Sequence, residues 1–196
     1  MAVNYHYDKK RFEAFIDAII AILLTILVLE IRVPESKQEH CTTFEQVISL
    51  TPVLIAYIGS FLLIVGFWLD YHLLFVNLSQ QLTKPFILLN MLFILSVSFA
   101  PFTTAFAGHH YNDSFAVALL AFNYFVMNIF FSFIYWYVMA KKLTDDQFFI
   151  DNKGTAIYSM LGILALLISI PMAYVNTYIS FAIFLLTFTG HFLKKR

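Results

Sequence analysis

Residues 11–30 read Arg11-Phe12-Glu13-Ala14-Phe15-Ile16-Asp17-Ala18-Ile19-Ile20-Ala21-Ile22-Leu23-Leu24-Thr25-Ile26-Leu27-Val28-Leu29-Glu30. No charged residue lies between Asp17 and Glu30. A lipid-spanning segment needs about 20 mostly apolar residues, and in lipid it must satisfy its own backbone, which a helix does. Ile22, Thr25, Ile26 and Leu29 fall at i, i+3, i+4 and i+7, so they share one face of that helix, and Phe15 and Ala18 extend the stripe. Such a stripe ordinarily faces lipid or core. Asp17 breaks the pattern, because an ionisable group within a span is costly and calls for a partner inside the protein.

The rest of the 196 residues support the same class. The chain is 61% hydrophobic and only 12% charged, where a soluble domain is about a quarter charged. Its 23 Phe exceed what one small soluble core hides. Twelve Lys plus Arg against twelve Asp plus Glu leave no net charge, which argues against a nucleic-acid binder. The expected class is an all-α integral membrane protein. A lone Cys41 excludes an intrachain disulfide and any Cys-based metal centre. No Gly-rich phosphate loop, nucleophile elbow or metal-binding His pair is present, so no enzymatic activity, resident metal or cofactor is expected. The charged segment before the long first apolar run also argues against a cleavable signal peptide.

Six spans are expected, at 12–33, 47–69, 85–106, 115–139, 156–172 and 175–192, within a single transmembrane domain covering 1–196. The last two are short and form a tight hairpin. Lys84-Pro85 suits the first turn of the third span. If the N-terminus is cytoplasmic, the inner loops and ends hold Lys9, Lys10, Arg11, Lys84, Lys141, Lys142, Lys153, Lys194, Lys195 and Arg196. The outer ones then hold only Arg32 and Lys37, facing Glu30, Glu35, Glu39, Glu45 and Asp113. That asymmetry places both termini in the cytoplasm and makes the outer face acidic. Trp68, Asp70 and His72 end the second span at the depth of Arg11 and Asp17. These five, with Phe15, are expected to form a polar and aromatic knot between helices one and two.

The pattern Arg11, Phe15, Asp17, then Ala21, Ile22, Thr25, Leu29 and Glu30, resembles the signature helix of the transmembrane protein 175 potassium-channel family. The likeness continues in Ser60-Phe61, Gly66, Trp68 and His72, in Asn90 and in Ser98-Phe99-Ala100-Pro101-Phe102, covering about the first hundred residues. The resemblance implies a potassium-selective channel of the prokaryotic type: one six-helix unit per chain, a homotetramer in a prokaryotic cell membrane, and a central pore lined by helix one. By that resemblance Ile22 forms the narrowest hydrophobic ring, Ile26 and Leu29 add apolar layers, and Thr25 supplies hydroxyls. The family's Phe-Ser-Asp is Phe15-Ile16-Asp17 here, which removes one hydroxyl.

An apolar ring of this kind closes by dewetting, and K⁺ sheds its water more cheaply than Na⁺. The chain lacks the Thr-Val-Gly-Tyr-Gly filter of ordinary potassium channels, so selectivity would not rest on a carbonyl cage. K⁺ is the expected permeant ion, and membrane lipids the other partner. The rival reading is a secondary or proton-coupled transporter using Asp17, Asp70 and His72 as a titratable relay. A third is a non-conducting membrane scaffold or enzyme subunit. His109-His110 reads as an interface pair rather than a metal site, and the aromatic residues of span four read as lipid contact and packing.

Overall fold

The computed structural model describes residues 8–32, 43–78, 82–144 and 153–187. Val33, Cys41 and residues 188–192 of the last expected span lie outside them. The described elements are all helices: α1 Lys9–Leu29, α2 Thr43–Ser49, α3 Thr51–Asn77, α4 Lys84–Ser98, α5 Ala100–His109, α6 Ser114–Ala140, α7 Lys153–Met172 and α8 Thr177–Thr187. Their starts are set by short polar side chains that accept from otherwise unpaired backbone N–H groups. Asp8 accepts from the N–H groups of Lys10 and Arg11, Thr83 from Phe86, and Asp113 from Phe115 and Ala116. Asn176 Oδ1 accepts from Tyr178 at 2.9 Å and Ile179 at 3.1 Å, so the last helix begins after Val175.

Four stretches are long and apolar enough to cross a membrane: α1, α3, α4 continued by α5, and α6. Ile157–Met172 and Thr177–Thr187 are shorter apolar helices, paired as the expected hairpin through a 2.8 Å contact between the hydroxyls of Ser169 and Ser180. The third stretch is interrupted at Phe99. Pro101 has no N–H to give the Val97 carbonyl and its ring crowds that carbonyl, and the Phe99 N–H bonds Ser96 O at 3.3 Å in a tighter turn. The second runs eight residues past the expected Leu69, to Asn77. Polar Asp70 does not end it, because its side chain is buried rather than turned to solvent.

α6 sits at the centre, packed against α4, α5, α7 and α8, while α1 lies against α3, α4 and α5. Helices in lipid gain little from the hydrophobic effect, so tight packing and interhelical hydrogen bonds hold them. Phe67, Phe93 and Phe131 form a three-ring cluster with centroids 5.6–5.8 Å apart. Thr104 Oγ1 donates to Ser60 Oγ at 2.7 Å, and Asn123 Nδ2 to Thr103 Oγ1 at 3.3 Å. At Gly108 α5 comes so close to α3 that a Cβ would lie 2.8 Å from Val53 Cα. The ends alternate as the loops require. Lys9 Nζ donates to Leu78 O at 2.6 Å at one end of the bundle, and Tyr178 OH to Asn112 Oδ1 at 2.9 Å at the other.

Candidate functional site

α1 divides into two faces. Ile16, Ile20, Leu23 and Leu27, spaced four, three and four apart, are buried in the core. Ile16, which replaces the family's serine, is fully buried, so an apolar side chain fills that position. On the other face Phe15, Ala18, Ile22, Thr25, Ile26 and Leu29 are all exposed, with Ile22 at 57% and Leu29 at 73%. Of the four candidate spans α1 is the least covered by the rest of the chain. It has 22% of its apolar window buried, against 44%, 44% and 56% for the others. The Thr25 hydroxyl donates to Ile22 O at 2.7 Å, so its proton is used within the helix and its oxygen presents lone pairs outward.

The expected knot is smaller than the sequence suggests. Trp68 Nε1 donates to Asp17 Oδ1 at 3.0 Å. His72, one turn along α3, stacks on Trp68 with centroids 5.7 Å apart, and its Nδ1 lies 3.8 Å from Glu13 Oε1. Three members do not join. Phe15 faces out on the exposed stripe, and Arg11 is exposed, with its backbone N–H held by Asp8 at 3.4 Å. Asp70 is two residues from both Trp68 and His72, which turns it to the opposite side of α3. There it is buried, within electrostatic reach of Tyr135 on α6. Asp17, Asp70 and His72 therefore do not form one relay.

Glu13 is the member that reading by motif overlooked. Its signal was available: Glu13 and Asp17 are four apart on α1, as Trp68 and His72 are on α3, so two matched pairs face each other. Asn90 and Ser60, part of the resemblance, are packing groups: Asn90 accepts from Tyr71 OH, and Ser60 Oγ accepts from Thr104. Among the described residues no three His, Cys, Asp or Glu are grouped to hold a metal ion.

The model of the family described as "Endosomal/lysosomal potassium channel TMEM175" matches residues 11–101. A potassium channel of Chamaesiphon minutus is 37% identical over 99 residues, which are 50% of this chain and 48% of that protein. The endosomal/lysosomal proton channel TMEM175 of Gallus gallus is 32% identical over 140 residues, 66% of this chain and 28% of that protein. The chain thus spans about half the length of the bacterial relative, and less of the animal one. The fold matches the crystal structure of a lysosomal potassium-selective channel TMEM175 homolog from Chamaesiphon minutus. The TM-score is 0.81 at 24% identity, over 94% of this chain and 96% of that one. The resemblance to the TMEM175 family is borne out across the first half of the chain, where its motifs lie.

Proposed function

We propose that the chain is a subunit of a potassium-selective channel whose ion path is lined by the exposed face of α1. The observation that carries this reading is that face itself: an apolar stripe with one hydroxyl layer, left uncovered on the helix least buried by its own subunit. Four copies arranged around a central axis bring the four stripes together as rings. Ile22 forms the constriction and closes by dewetting, with Ile26 and Leu29 as apolar layers beyond it. The Thr25 oxygens, with their protons turned to Ile22 O, offer acceptors to a partly dehydrated cation. K⁺ is preferred because stripping Na⁺ of water costs more. Support comes also from the names of the relatives, which include potassium channels.

In this reading the subunit crosses the membrane six times, with α7 and α8 as a short final pair, and both termini face the cytoplasm of a prokaryotic cell. The Trp68–Asp17 bond and the His72–Glu13 contact brace α1 from behind, so its lumen face keeps a fixed rotation. The test is single-channel recording of purified protein in a lipid bilayer under opposed K⁺ and Na⁺ gradients. Unitary ohmic steps reversing towards the K⁺ equilibrium potential are expected. Slow, saturable flux without steps would replace this reading with a carrier.

A further inference from the structure

At the end of the bundle where α1 and α5 finish, Glu30, Arg32, Phe102, Ala105, Phe106, His109 and His110 line a cleft of about 260 Å³. Phe102 and Phe106 stack at 5.9 Å, and Phe106 lies 5.0 Å from the His110 ring. The cleft therefore joins an aromatic wall to a carboxylate and a guanidinium. Among the described residues, neither Glu30 nor Arg32 makes an ion pair, with each other or with a third group. Neither charge is therefore spent on another described residue.

The depth of the cleft narrows what that something is. Glu30 and His109 stand at the ends of their helices, the level at which a spanning bundle meets phospholipid headgroups. From the cleft an exposed apolar stripe runs along the α4–α5 pair through Phe102, Phe99, Leu95 and Leu88. Their spacings of three, four and seven keep them on one face. Fourteen residues at helical rise are about 21 Å, more than the roughly 15 Å of one leaflet's hydrocarbon. A polar seat with opposite charges, continued by an apolar track as long as an acyl chain, is complementary to a zwitterionic phospholipid.

We infer that the cleft seats a phosphatidylethanolamine of the leaflet at that end of the bundle. Its ammonium donates to the Glu30 carboxylate, and its phosphate accepts from Arg32 and the histidine N–H groups. Its chain lies along Phe102, Phe99 and Leu95. An anionic lipid satisfies Arg32 but meets Glu30 as a like charge, so the seat discriminates between headgroups. The inference needs the helices to span a membrane and is independent of conduction.

The test uses the full chain in nanodiscs of phosphatidylcholine doped equally with phosphatidylethanolamine and phosphatidylglycerol, with retained lipid read by native mass spectrometry. Phosphatidylethanolamine should be retained about fivefold over phosphatidylglycerol. Glu30→Gln should abolish that preference, and Arg32→Gln should lower retention of both lipids. Thermal melting of each variant monitors its folding, and Phe102→Ala, which leaves both charges in place, gives a second arm by weakening retention of both. Equal retention of the two lipids by the native chain would overturn the inference. So would unchanged selectivity in Glu30→Gln, or efficient Ala105→Cys crosslinking between copies, which would mean that a neighbouring subunit covers the cleft. None of these readouts measures current, so failure here leaves the channel reading to its own test.

Discussion

Trp68 Nε1 and Asp17 Oδ1 are joined by a 3.0 Å hydrogen bond that ties α3 to the N-terminal half of α1. It is an indole donor meeting a carboxylate acceptor in a partly buried setting, where the carboxylate would otherwise be poorly solvated. Trp68→Phe keeps an aromatic ring and removes the donor. It should lower stability by about 1 kcal/mol or more, because Asp17 is left without that partner. Asp17→Asn retains an acceptor oxygen and should cost less. Thermal unfolding in detergent of the two variants and their combination checks this, and strictly additive losses would contradict direct coupling.

Glu13 and His72 approach to 3.8 Å, and the contact is an ion pair only when the imidazole is protonated. His72 is half-exposed, so the pair should contribute about 0.2–1 kcal/mol at most. A double-mutant cycle with Glu13→Gln and His72→Gln, read by thermal unfolding in detergent, should show a coupling of that size, and strictly additive losses would contradict the contact.

Ile22→Asn places an amide in the proposed apolar ring, where it holds water and opposes dewetting. Basal K⁺ current should rise or closure weaken in bilayer recordings. Since Ile22 is exposed and makes no core contact, the subunit fold should tolerate the change, within about 0.5 kcal/mol. Conductance and open probability equal to those of the native chain would remove Ile22 from the gate.

Thr25 offers the only side-chain oxygen on the stripe between Ile22 and Leu29. Thr25→Val keeps the shape and deletes that oxygen, whereas Thr25→Ser keeps the hydroxyl. The reversal potential under mixed K⁺ and Na⁺ should shift towards Na⁺ in Thr25→Val, with Thr25→Ser closer to native. Identical reversal potentials in all three would separate Thr25 from selectivity.

Two glycines invite opposite expectations. A Cβ at Gly108 would press on Val53 Cα at 2.8 Å, which is backbone and cannot rotate away. At Gly59 it would meet the far end of the Leu185 side chain, which can. Gly108→Ala should therefore separate α5 from α3 and cost about 1–3 kcal/mol, well above Gly59→Ala. Comparing melting temperatures of the two variants decides the point.

Much of the path to the candidate site is legible along the chain. The i, i+3, i+4, i+7 spacing of Ile22, Thr25, Ile26 and Leu29 follows from helical geometry alone, and the structure leaves that same face uncovered. The knot was less legible. Sequence proximity grouped Asp70 with Trp68 and His72, but a helix turns about 100° per residue, which puts Asp70 on the opposite side of α3, where it is buried. Glu13 was overlooked because a carboxylate near a span end reads as solvated until the facing helix brings an imidazole to it.

By itself, the sequence determined the membrane class, the helical backbone, the alternation of span ends and the stripe on α1. These depend on local properties: hydropathy over about 20 residues, backbone satisfaction in lipid, and a fixed helical period. Only the tertiary structure decided which face of α1 is buried, that Trp68 reaches Asp17, that Asp70 is buried, and that Glu30 and His109 share one cleft. Those facts depend on how helices distant in sequence rotate and approach. Within a bundle, that is set by close packing at points such as Gly108 against Val53, where one missing methyl determines how near two helices come.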